Sequence, residues 1–254
     1  MFCEKRKRTF YLNEEQAMKA AQIERYSKEI KVKINDIPIP SIKEDEVLVR
    51  VKAAAVNPVD ILNIKGSVRL IQDYKMPLTL GIECSGEVEK IGSKVKRFHL
   101  GDKVYSRIPI KTLGAFAEFV SIKESALAHM AHGLDYDTAA ATPLTGLTVY
   151  EAITEELKAK PGESLFIPGG SGSFGQMAVP IAKELGLSVV VSGNKRAKEA
   201  ITALGAERYI VYTEENYEEV LPPLDYVIDT LGEREFEKEL SILRKGGRCL
   251  VAEK

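Results

Sequence analysis

Residues 167–178, IPGGSGSFGQMA, place four glycines and two serines between an apolar run and a helix-like segment. Within them Gly170, Ser171, Gly172, Ser173, Phe174 and Gly175 fit the spacing G-x-G-x-x-G, with strand-like SLFIP (164–168) before and helix-like FGQMAVPIAKELG (174–186) after. In a strand–turn–helix the first glycine permits a sharp turn, the second lets backbone approach a diphosphate, and the third lets the helix pack close to the strand. The diphosphate then meets unpaired N–H groups at the positive end of a helix. The stretch therefore predicts a dinucleotide site, the alternative being a glycine turn that holds nothing.

Downstream of it, strand and helix alternate: SVVVSG, AKEAITALGA, RYIVY, LDYVIDT, FEKELSILRKGG and RCLVAE. Short β-branched runs separated by helical segments predict βαβ units, and so a doubly wound parallel sheet with helices on both faces. Pro180 falls two turns into the helix after the glycine loop, where a lost hydrogen bond and a ring clash predict a kink. A dinucleotide with a free ribose asks for an acidic side chain at the end of the second strand. The chain instead reads VVVSGNKR, with Ser192 neutral and Lys195 and Arg196 cationic. A carboxylate about 4 Å from a 2′-phosphate would repel it by roughly 4 kcal/mol per unit charge at an effective dielectric of 20, whereas a cation attracts it. NADPH is thus expected over NADH, unless Lys195 and Arg196 are merely a solvated helix start.

Upstream, short apolar runs broken by Gly, Pro and Asp (EVLVRVKAAAV, GIECSGEVEKIG, GDKVYSRI, GAFAEFVSI) predict antiparallel strands bent into a barrel or sandwich. Residues 136–157 turn Ala- and Leu-rich and read as helix, broken near Pro143 and Gly146. The expected organisation is an N-terminal extension (1–17), a mostly β domain (18–140) and an α/β coenzyme domain (141–254).

Composition narrows the partners. The 254 residues are 44% apolar and 29% charged, with 36 Lys+Arg against 37 Asp+Glu. That balance supports a large buried core and leaves no net charge to draw the whole molecule toward nucleic acid or an anionic membrane, so any anion site must be local. No run of about 18 apolar residues occurs. Three cysteines without C-x-x-C spacing suit a reducing cytoplasm.

With both halves placed, the chain resembles the zinc-independent quinone oxidoreductases of the medium-chain dehydrogenase/reductase superfamily. The resemblance runs from about Met18 to Lys254 and is carried by EVLVRVKAAAVNPVD (46–60), GIECSGEVEKIGSKVKRFHLGDKVY (81–105), GAFAEFVSI (114–122), AAATPLTGLTVYEAI (139–153) and KPGESLFIPGGSGSFGQMAVPIAK (160–183). It implies a GroES-like catalytic domain and a Rossmann domain, with NADPH and a small-molecule substrate in the cleft between them. It also implies a family homodimer, and a chain that stops before the family's last Rossmann strand. By the same resemblance Asn57 lies beside nicotinamide and substrate, Thr148, Thr230 and Leu231 approach the nicotinamide ring, and Tyr212 lines the 2′-phosphate end. Asn57 read by itself also suits a group that satisfies buried backbone, and Asp60 a turn residue fixing local hydrogen bonds rather than a general base. Zinc members carry Cys where this chain has Asn57, and His in the triplet that here reads Gly81-Ile82-Glu83. No metal is expected, because neither Asn nor Ile offers thiolate or imidazole; His99, His129 and His132 are expected to be packing or surface residues. The expected reaction is hydride transfer from NADPH to a quinone or an α,β-unsaturated carbonyl. An enoyl or alkenal reductase, or a coenzyme-binding protein without catalysis, are the alternatives.

Overall fold

The computed structural model describes residues 17–232 and 234–252. The expected N-terminal extension thus lies outside the described residues except for Ala17, which opens the first strand. The chain divides after Ala141 into two compact units.

The first unit is two antiparallel sheets. Ala17–Ile23 (β1) pairs with Lys33–Pro38 (β2) and later with Leu78–Thr79 (β4), in the order β2-β1-β4. Glu46–Ala54 (β3) leads through the helix Pro58–Lys65 (α1) toward Glu83–Ile91 (β5), Lys103–Arg107 (β6), Phe119–Lys123 (β7) and Ala128–His129 (β8), which form the order β7-β3-β5-β6-β8. Burial alternates along β1, β6 and β7 because successive side chains point to opposite faces. The inward set, Val47, Val49, Val88, Val104, Val120 and Ile122, closes over Phe98, which is 1% exposed. Removing a side chain of that size from water contributes roughly 1.5–3 kcal/mol. Tyr136–Ala140 (α2) ends the unit, its first turn capped by Asp135, whose carboxylate accepts the Thr138 N–H at 2.7 Å.

The second unit begins with Pro143–Glu151 (α3). The expected break near Pro143 and Gly146 is resolved differently: Pro143 starts this helix, where its missing N–H costs nothing, and Gly146 lies inside it, donating its N–H to the Thr142 carbonyl. Then follow Ser164–Ile167 (β9), Ser173–Glu184 (α4), Ser188–Gly193 (β10), Lys198–Ala203 (α5), Arg208–Val211 (β11), Tyr217–Val220 (α6), Leu224–Asp229 (β12), Phe236–Ser241 (α7) and Leu243–Val251 (β13). The five strands are parallel in the order β11-β10-β9-β12-β13, the doubly wound arrangement expected from the sequence. Leu165, Ile167, Val189 and Val191 face α4 and α5, while their neighbours Phe166, Val190 and Ile210 face the opposite side with Tyr217 and Ile242. Both faces are covered, so these strands read as continuous apolar runs.

One element differs from expectation. The helix expected over 236–247 stops at Ser241, and Leu243–Arg248 is already strand, with Gly246 at φ 84° where the ladder shifts register. Pro180 lies inside α4, as the sequence placed it. Among the described residues no helix is long and apolar enough to cross a membrane.

Candidate coenzyme and substrate site

In the second unit the sheet order reverses at β9, and the loops that leave β9 and β12 meet there. Thr230 Oγ1 donates to the Pro168 carbonyl at 2.7 Å, and a Cβ on Gly169 would touch the Leu231 and Thr230 side chains. Asp229 shapes the turn that carries Thr230 and Leu231, accepting the Leu231 N–H at 2.6 Å and the Gly232 N–H at 3.2 Å. From β10, the Ser192 carbonyl accepts the Gly170 N–H at 3.0 Å, and Asn194 Nδ2 donates to Ser171 Oγ at 3.2 Å. Three of the expected coenzyme segments, 170–175, 192–196 and 230–231, are thereby joined at the carboxyl ends of neighbouring strands, where open α/β sheets bind ligands.

The three motif glycines differ in what surrounds them. A Cβ on Gly175 would run into the Gly170 carbonyl oxygen, so this glycine is spent on helix–turn packing. One on Gly170 would press on Val191 at 2.7 Å. At Gly172 a Cβ would meet nothing within 4 Å, so the backbone there faces open space. Gly172 is also the N-cap of α4, with no side-chain cap and no acidic residue in the first turn. The first turn of this 12-residue helix has no side-chain cap and no acidic residue of its own, which suits a diphosphate.

The two cations beyond β10 are not equivalent. Lys195 Nζ lies 2.7 Å from Glu214, and the pair raises the lysine's pKa and lowers the carboxylate's. Arg196 is exposed and has no hydrogen bond or ion pair among the described residues. Asn194, to which the sequence assigned no role, ties the region together. Its Oδ1 accepts the Ala197 N–H at 3.1 Å and its carbonyl accepts the Tyr209 hydroxyl at 2.7 Å. Tyr212 is 65% exposed, its N–H bound to the Gly193 carbonyl at 3.3 Å. It borders an open pocket of about 380 Å³ whose Glu214, Glu215 and Glu235 already face Lys195, Arg208 and Lys238. Thr148 stands on the exposed side of α3, its hydroxyl donating to the Leu144 carbonyl at 2.8 Å.

In the first unit Asn57 caps α1, whose first residue is Pro58. Its backbone N–H donates to Asp60 Oδ2 at 2.8 Å, and its side-chain Nδ2 donates to Glu83 Oε1 at 2.7 Å and to the Ala55 carbonyl at 3.4 Å. Asp60 is 1% exposed; burial raises its pKa, against which the Asn57 and Gly81 N–H groups work. Its hydrogen bonds are those of a turn residue. Gly81 adopts φ 96° with Phe116 packed against it, a position no other residue fills without strain, and the turn sets Glu83 at the start of β5. Glu83, 1% exposed, is the site residue that sequence reasoning left unassigned. A buried acidic residue in an otherwise apolar strand start was the available signal, because such a charge needs a partner. Ile82 is buried. Among the described residues no group of three or more His, Cys, Asp or Glu is placed to hold a metal ion.

The sequence matches two family profiles: Alcohol dehydrogenase GroES-like domain over residues 43–132, and Zinc-binding dehydrogenase over residues 174–252. The chain is 35% identical over 225 residues to the 2-methylene-furan-3-one reductase of Solanum lycopersicum and 33% identical over 225 residues to the chloroplastic NADPH-dependent alkenal/one oxidoreductase of Arabidopsis thaliana. Each match covers 85% of this chain and 57% of the relative, so the chain spans little more than half the length of these two proteins. The solved quinone oxidoreductase of Coxiella burnetii superposes with a TM-score of 0.83 at 31% identity, covering 92% of this chain and 75% of that one.

Proposed function

The chain belongs to the quinone oxidoreductase family of the medium-chain dehydrogenases/reductases, and on that premise we propose that it passes hydride from NADPH to a small quinone or α,β-unsaturated carbonyl. The observation that carries this reading is the uncapped start of α4, with open space at Gly172 and no carboxylate in the first turn. The amides of Gly170, Ser171, Gly172, Ser173, Phe174 and Gly175 are assigned the diphosphate. Ser192 and Arg196 are assigned the 2′-phosphate end, with Lys195 contributing through its shared charge and Tyr212 bordering it. Thr148, Thr230 and Leu231 are assigned to the nicotinamide ring and Asn57 to the reacting end. NADPH, when bound, supplies the hydride.

What the chain's own residues do is position and exclude. Holding the two reacting carbons about 3–3.5 Å apart converts the transfer into an effectively unimolecular step. Asn57 offers an amide whose Nδ2 already donates to Glu83, and Ile82 offers only a hydrocarbon, so neither supplies the thiolate or imidazole that zinc takes. The reading assigns no metal, takes the final proton from water, and sets the protein in the reducing cytoplasm, which its cysteine spacing supports.

The printed name of the Arabidopsis relative favours enals and enones, and that of the Coxiella neighbour favours quinones. Coenzyme oxidation by the folded chain, measured with ring quinones and with straight-chain enals, tests the reading. Turnover of either class supports it, and their ratio names the substrate class. A folded sample that binds NADPH and reduces neither refutes the catalytic assignment.

A further inference from the structure

We propose that Glu83 locks the Asn57 amide so that Asn57 acts only as a hydrogen-bond acceptor, taking an N–H or O–H of the bound ligand rather than polarising the carbonyl being reduced. The inference deepens the reading of Asn57 given above and rests on it.

A primary amide has two N–H donors and one carbonyl oxygen. In Asn57 both donors point inward, to Glu83 Oε1 at 2.7 Å and to the Ala55 carbonyl at 3.4 Å. Oδ1 faces the Asp60 N–H in the α1 capping box, and of its two lone pairs one is left for a ligand. Turning the amide over would set Oδ1 against a carboxylate oxygen and a carbonyl oxygen, two repulsive contacts in place of two hydrogen bonds. The bond to Glu83 is the shorter of the two, 2.7 Å against 3.4 Å, and holds the amide in this sense. Glu83 is 1% exposed, so bulk water does not compete for it.

The backbone is held as firmly as the side chain. The Asn57 N–H donates to Asp60 Oδ2 at 2.8 Å, and Asp60 also accepts from the Gly81 N–H. Two buried carboxylates thus tie the 57–60 turn to the 81–83 turn, and the amide cannot swing without breaking one of them. An acceptor placed beside a carbonyl oxygen that gains negative charge would oppose reduction. The partner of Oδ1 is therefore a donor, and two sources carry one: the carboxamide NH₂ of the nicotinamide, or a hydroxyl of the substrate.

Three measurements on the full chain test this. In ¹⁵N–¹H spectra without coenzyme, one Asn57 Nδ2 proton is expected downfield and slow to exchange, returning upfield in Glu83→Gln while the Asn57 backbone N–H keeps its shift. In titrations, Asn57→Ala is expected to weaken NADPH about tenfold and to leave unchanged the affinity for the 3-acetylpyridine analogue, whose methyl replaces the amide NH₂. Glu83→Gln should lose the same discrimination. Should the substrate hydroxyl be the donor, both coenzyme affinities stay unchanged and KM rises only for hydroxyl-bearing acceptors, which also supports acceptor-only action. An Asn57 side chain that exchanges as a free amide overturns the proposal. So does an Asn57→Ala variant that loses kcat toward quinones lacking hydroxyls with NADPH affinity intact, because that marks Asn57 as a donor to the carbonyl. A folded chain that binds neither coenzyme refutes the coenzyme reading, and the spectrum still decides the amide's orientation.

Discussion

Adding one methyl group at two glycines of the same loop separates packing from ligand binding. At Gly172 the backbone lies at φ −88° and ψ −171°, which alanine adopts freely, and the new Cβ meets no protein atom within 4 Å. Two small terms nearly offset: alanine is a poorer N-cap than glycine by about 1 kcal/mol, and loss of glycine's freedom in the unfolded chain returns about 0.4–1 kcal/mol. The net change stays within about 1 kcal/mol, or about 3 °C in Tm for a chain of this size. For the ligand the outcome differs, because the methyl occupies the space a diphosphate must enter. Loss of one amide bond to a charged group, about 1.5–3 kcal/mol, weakens NADPH roughly ten- to a hundredfold. At Gly175 the Cβ runs into the Gly170 carbonyl, and the α4 start must move off the strand. Overpacking of that kind costs about 1–3 kcal/mol, a fall in Tm of about 2–12 °C. The assays are thermal unfolding and NADPH fluorescence titration on Gly172→Ala, Gly175→Ala and the parent. A Gly172→Ala variant that binds NADPH like the parent would refute the assignment of these amides to the diphosphate.

The unequal cations make a second prediction. Arg196→Ala should weaken NADPH about tenfold and leave NADH unchanged, whereas Lys195→Ala should do less because Glu214 already neutralises that ammonium. Glu214→Gln, by releasing Lys195, should tighten NADPH; equal effects on the two coenzymes in all three variants would show that these groups do not read the phosphate. A third prediction concerns pH. Glu239 is the fully buried residue of α7, and burial, then Asp229 and Glu235, push its pKa up to about 7 from 4.5; Cys249 Sγ lies 3.8 Å from its carboxylate. The folded state therefore keeps a proton that the unfolded chain gives up, so the stability from this group is complete below pH 4.5 and declines as pH rises to about 7. Denaturant midpoints measured across that range should fall for the parent relative to Glu239→Gln, and parallel curves would exclude the protonated carboxyl.

The alternation of short β-branched runs with helical segments after Ser164 was enough to read a parallel sheet, and the glycine spacing enough to read where a diphosphate goes, because both are local consequences of backbone geometry. Boundaries were less legible. Pro143 and Gly146 are breakers in isolation, yet Pro143 stands at the first position of a helix, where its missing N–H has no partner to lose. The strand β13 begins five residues before the β-branched and apolar run that signals it, because pairing with β12 overrides the weak propensity of LRKGG. Lys195 and Arg196 look alike in sequence, and only the fold brings Glu214 to one of them.

The sequence by itself determined the strand and helix periods, the glycine loop, and the absence of a carboxylate after β10, since each depends on neighbours along the chain. The tertiary structure decided which cation is paired with a carboxylate and which way the Asn57 amide faces. Those outcomes depend on Glu214, 19 residues from Lys195, and Glu83, 26 residues from Asn57. Hydrogen bonds across such separations exist only once the chain has folded, because loop closure must occur before either carboxylate reaches its partner.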